Sequence, residues 1–270
     1  MAPLALSGFS SIEQFMEFRK TANNPNLWER LPNTCFLSAD TDVERIWDDE
    51  IRRILRSELS VEERLKALYL DIREDLGDTA PTLMDFLSNP RDIDPYIFIR
   101  QFGSWLSAKE FCDGFLSEDE KQIVGTAGEK FLAYFEKDLN PVKSYKMVVL
   151  ISLLNLPGTE WQIEMIAHHF LSYYLNHPDR IADYDDLAKS PNPREFSIRK
   201  VVSKLQSMPL HFLSNTANDF FILEKNIGVF RLKPEMHPYW NNDSFRQMVK
   251  DRVMFALERY FRNSGRNKKS

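Results

Sequence analysis

Long apolar runs are missing from this sequence. No stretch approaches the roughly 18 consecutive apolar residues of a membrane span, so no transmembrane helix is expected. Cysteine is nearly absent. Cys35 and Cys112 lie 77 positions apart and form neither a disulfide framework nor a metal motif, which makes a reducing cytoplasm the expected setting. The opening residues, MAPLALSGFS, lack the basic segment and long apolar core of a signal peptide. Catalytic signatures are missing too. There is no GxxxxGK loop ending in Ser or Thr, no GxSxG and no HExxH, so neither an enzyme nor a cofactor is expected. His168, His169 and His177, with Asp179 nearby, have poor metal-ligand spacing and read as ordinary core or surface histidines, so no metal is expected. Glu224-Lys225-Asn226 is the nearest approach to the Glu-x-Lys of a magnesium nuclease. It falls at the end of a hairpin strand with the wrong spacing.

What is present is a chain of 270 residues, 43 % apolar, with 20 Phe, 9 Tyr and 5 Trp. That is enough for one large core or two small ones and excludes general disorder. The net charge of −5 excludes a chain coated in nucleic-acid-binding surface, but the charge is unevenly placed. Residues 1–140 carry 16 Lys or Arg against 27 Asp or Glu, and residues 141–270 carry 19 against 13. An acidic front and a basic back suggest two modules with different partners, 1–140 and 141–270, joined near Asn140–Pro141.

The front reads as helical, with no repeat and no strand alternation. Capping boxes start helices at Ser11/Gln14, Ser60/Glu63 and Ser117/Glu120. Val43–Ser57 and Val61–Leu76 have apolar faces, Pro81–Ser88 is a short helix, and the Ser117 helix is expected to reach Tyr134–Phe135. The back opens with a strongly apolar helix, Ser144–Leu156. A second helix is capped by Thr159 and runs to Leu175, and Asp183–Lys189 adds a short turn. Asn192, Pro193 and Glu195 then have the spacing of a cap, a first-turn proline and a capping carboxylate for a basic helix reaching Ser207. Asp219–Glu224 and Ile227–Leu232 flank Lys225–Asn226 as a hairpin, expected to be the only β structure, and Ser244–Phe261 is a last helix. The fold class expected is therefore mainly α: a helical module, then a winged-helix module with one small hairpin and an extra C-terminal helix. In such a module the Ser197–Ser207 helix could enter a major groove, with the hairpin tip beside the backbone.

Several segments carry a family resemblance. SYKMVVLISLL at Ser144–Leu154 resembles the first helix of the region that follows the motor domains in some restriction and phage-defence superfamily 2 helicases. TAPTLMDF at Thr79–Phe86 and FGSW at Phe102–Trp105 resemble the helical segment linking motor and winged helix in those proteins. IRKVVSKLQSMPLHFL at Ile198–Leu213 resembles their third helix and its proline-marked exit. The similarity covers about residues 40–262. It departs from the full proteins in lacking the motor, since no ATP site is visible.

The resemblance implies a non-enzymatic DNA-binding accessory or target-engaging part of a nucleic-acid-processing or antiviral restriction complex, either a separate subunit or a piece of a larger protein. It implies duplex rather than single-stranded DNA as ligand, with a larger helicase or nuclease as partner. On that basis Arg194, Arg199, Lys200, Lys204, Lys225, Arg231 and Lys233 are the candidates for DNA backbone contact. Asn192, Ser197, Ser203 and Gln206 are the candidates for base edges. The alternative is a protein-interaction adaptor that binds no DNA and docks a basic partner on its acidic front, with Trp28 or Trp105 as an exposed anchor.

Overall fold

The computed structural model describes residues 59–90, 93–139 and 141–266. The Ser11 capping box, the 43–57 helix and Trp28 lie outside the described residues. The chain divides into two units at Glu58/Leu59, and every described residue belongs to the second, Leu59–Ser270.

The second unit begins with a run of short helices: α1 (Val61–Asp75), α2 (Leu83–Ser88), α3 (Tyr96–Phe102), α4 (Trp105–Asp113), α5 (Glu118–Lys121) and α6 (Ala127–Ala133). The Ser60/Glu63 and Ser117/Glu120 boxes form as expected, and Thr82/Asp85 makes a third. Each satisfies orphan amides of a first turn. The single helix expected from Ser117 to Phe135 is two, because Gly125 takes φ +77° and turns the chain between α5 and α6. α6 then widens into a π-helical turn, Tyr134–Asp138.

The winged helix comes next. α7 (Tyr145–Leu154) is followed by β1 (Glu160–Gln162), α8 (Ile163–Asn176), α9 (Asp185–Ala188), α10 (Ile198–Ser207) and α11 (Pro209–Thr216). Then come β2 (Phe221–Glu224), β3 (Val229–Leu232), α12 (His237–Trp240) and the long α13 (Asp243–Arg266). The strands form one antiparallel sheet in the order β1-β3-β2, with Glu160 opposite Arg231 and Trp161 opposite Phe230. Thr159 thus does not cap a helix. Its carbonyl accepts from the Leu232 amide, and the helix starts at Ile163. The reason is Trp161. As a strand residue it turns into the core, 2 % exposed, and its indole donates to the Pro157 carbonyl.

Two clusters form the interior. The smaller holds Tyr69, Phe86, Phe98 and Trp105 in edge-to-face and tilted ring contacts. The larger joins Leu106, Ile123, Phe131 and Phe135 to α7, α8, α10 and the sheet, so the packed interior continues across residue 140. α13 ties the two together. Phe255 enters the smaller cluster, while Phe245, Val249, Val253 and Leu257 enter the larger. On the same helix, Asp251 accepts from the amides of Leu83 and Met84 at the start of α2. No helix among the described residues is long and apolar enough to cross a membrane.

Candidate nucleic-acid interface

α10 is amphipathic for a simple reason. Val201 and Leu205 are fully buried, four residues apart, which leaves Arg199, Lys200 and Ser203 on the exposed side. The expected start chemistry is not used. Pro193–Glu195 is an isolated 3-10 turn, and neither Asn192 nor Ser197 makes a side-chain cap bond. Phe196 is extended and half-buried, stacking edge-on against Tyr184, and this packing separates the turn from the helix. Arg194, Asn192 and Ser197 are exposed on this approach to α10, and Gln206 is half-buried near its end.

The seven candidate cations differ in their surroundings. Arg194, Arg199, Lys200, Lys225 and Lys233 make no ion pair among the described residues, and the Lys200 ammonium sits 5.7 Å from the Phe196 ring. Lys204 lies 3.4 Å from Asp186 and 6.0 Å from the Tyr145 ring. Arg231 is held hardest. Its guanidinium meets Glu224 at 2.6 Å, and Glu160 stands opposite it in the register. Glu224, the acid of the nuclease-like tripeptide, is thereby an ion-pair partner of the sheet face.

α10 does not stand beside the wing. α11 lies between, packed on both α10 and β2. α10 and α11 are joined through Met208 alone. α11 was not expected, because Pro209 reads as a helix exit. It is instead at the first helical position, where a missing amide costs nothing. His211, Ser214 and Asn215 of α11 line an open groove against Leu223, Glu224 and the Lys225–Ile227 turn. Asn215 Nδ2 lies 3.2 Å from His211 Nε2. Phe212 is 45 % exposed, with the Lys146 ammonium 5.9 Å from its ring. Partial burial lowers the Lys146 pKa, yet this lysine of α7 keeps some exposure. Sequence reasoning missed Lys146, His211, Phe212, Ser214 and Asn215. A helix-start reading of Pro209 would have found four of them.

The arrangement offers a row of cations on α10, a polar groove between α11 and the hairpin, and Lys225 at the hairpin turn. Among the described residues no group of three or more His, Cys, Asp or Glu could hold a metal ion. His168 and His169 are exposed on α8, and His177 Nδ1 lies 2.7 Å from the Tyr173 carbonyl oxygen.

No curated protein and no solved structure matches the chain. A family model does, over residues 65–263, which takes in all the helices from the middle of α1 to α13 and the whole sheet. The chain belongs to this family, described as a domain of unknown function, DUF8090.

Proposed function

We propose that the chain is a non-enzymatic DNA-binding component that engages duplex DNA through its winged helix. In this reading it serves a larger helicase or nuclease of a nucleic-acid-processing or phage-defence complex in the cytoplasm. The observation that carries the reading is the cation row of α10, with Arg199 and Lys200 exposed and Lys204 partly so, on the helix that packs against α11. Cations of this kind neutralise phosphates and release counterions, which supplies affinity without sequence preference. Ser203 on α10 and His211, Ser214 and Asn215 on α11 are the groups suited to base edges.

The test is a fluorescence-anisotropy titration of the full chain against labelled duplex and single-stranded DNA. Duplex binding in the micromolar range at about 50 mM salt, weakening at about 200 mM, supports the reading. Absence of binding to either form at the lower salt overturns it.

A second reading is favoured by one observation. Phe111 is 41 % and Phe115 59 % exposed, in a part of the chain, residues 59–140, with 17 acidic against 9 basic side chains. Such a surface suits a protein adaptor with a basic partner. Its anchor is not Trp105, which is 1 % exposed in the smaller core. Capture of a partner that survives nuclease treatment, together with no DNA binding, would favour the adaptor.

A further inference from the structure

The segment that precedes α10 carries three aspartates, two beside Lys143 and one beside Lys204 of α10. Asp183 and Asp185 lie 3.8 and 3.6 Å from Lys143, and Asp186 lies 3.4 Å from Lys204. The turn itself is fixed. Tyr184 and Leu187 are buried in the larger core, and Asp183 accepts from the Ser144 amide and, at 2.7 Å, from the Tyr260 hydroxyl. Asp183 is therefore a structural anchor. Asp185 and Asp186 are different: their side chains are 61 % and 62 % exposed and, among the described residues, pair only with these lysines.

Lys143 and Lys204 come from distant parts of the chain but meet neighbouring carboxylates, Lys143 that of Asp185 and Lys204 that of the adjacent Asp186. Both are partly exposed, 37 % and 29 %, so a phosphate can reach them from solvent.

We infer that Lys143 and Lys204 form a phosphate-binding position whose affinity is set by the neighbouring carboxylates of Asp185 and Asp186, which compete with the DNA backbone for these lysines. The inference rests on the DNA-binding reading above. It adds Lys143, absent from the candidate cations, and assigns the acidic turn the role of an internal counterion. A pair this exposed is weak, so a phosphate displaces the carboxylate by side-chain rotation alone and the turn need not move.

The consequence is tighter binding on removing charge. Asp185→Asn/Asp186→Asn in the full chain should bind a labelled duplex about three- to tenfold more tightly, since an exposed pair is worth roughly two- to fivefold. Its log–log salt dependence should steepen by about one to two units, one for each further phosphate that a freed lysine neutralises. Glu195→Gln is the control. Glu195 is exposed beside α10 and pairs with no cation among the described residues, so it reports the general loss of negative charge. It should tighten binding by less than about twofold and leave the slope unchanged.

Asp186→Asn alone should also tighten binding, and that effect should vanish in a Lys204→Ala background. Far-ultraviolet circular dichroism checks that the variants fold. If the parent binds duplex but the double variant binds no tighter than Glu195→Gln, or keeps the parent's slope, the inference is overturned and the DNA-binding reading stands. If neither parent nor variant binds at low salt, both are overturned.

Discussion

Arg231 and Glu224 meet at 2.6 Å across the hairpin, the guanidinium reaching one carboxylate oxygen through both Nε and Nη2. Glu160 of β1 is the cross-strand neighbour on the other side. A cation held this closely by a carboxylate has its charge locally cancelled, so Arg231 should add nothing to phosphate binding. Arg231→Ala is expected to leave the salt slope of duplex binding unchanged within about half a unit, whereas each contacting lysine contributes about one. A full unit lost in the same titration would place Arg231 among the contacts.

Glu136 and Arg252 form the most enclosed ion pair among the described residues, 3.0 Å apart with side chains 1 % and 4 % exposed. Glu136 lies in the π-helical turn and also accepts from the Trp105 amide, so it connects α4, the end of α6 and α13. Removing one partner strands a buried charge. Glu136→Ala should cost about 3–5 kcal/mol in urea denaturation, and Glu136→Leu/Arg252→Met should recover most of that loss. A double variant no more stable than the single one would show that the pair is needed for the fold itself.

Cys112 is a free thiol 2 % exposed in the smaller core. Burial, and then the neighbouring Asp113 carboxylate, push its pKa up to about 12. At neutral pH almost none of it is thiolate, the reactive form. In a Cys35→Ser background the folded chain should react with a thiol-specific dye only as fast as it opens, and denaturant should restore full reactivity. Immediate labelling of the native chain would contradict this packing.

Much of this was legible, and the misses have physical causes. Capping boxes at Ser60 and Ser117 are local chemistry and form where the spacing says. The exposed Arg199 and Lys200 of α10 follow from the four-residue spacing of Val201 and Leu205. Asn192 and Pro193 looked equally complete, but Phe196 packs on Tyr184 and breaks the run before α10 begins. β1 was hidden in a plausible helix start, although Glu160-Trp161-Gln162-Ile163 alternates polar and apolar with the period of a strand. Its pairing with β3 is a long-range event that a local reading does not register. α11 was missed because proline ends one helix and begins the next with equal ease. Charge, from which the expected seam near Asn140 follows, lies on the surface, and a sequence reading does not register that Phe131, Phe135 and Val148 share one core. The pairing of Lys204 with Asp186, 18 positions apart, depends on where Tyr184 and Leu187 are buried and so is not a sequence property.

In the proposed reading, α10 delivers cations to a DNA backbone. The direct measurement is the salt dependence of duplex binding for the parent and for Arg199→Ala/Lys200→Ala/Lys204→Ala, by fluorescence anisotropy at several salt concentrations. Val201 and Leu205 hold the helix from the other side, so the triple variant should keep the parent's circular dichroism and urea midpoint. The account predicts binding weaker by roughly tenfold or more, with a log–log slope lower by about two to three units. A folded triple variant that binds as tightly as the parent, with the same slope, would contradict it.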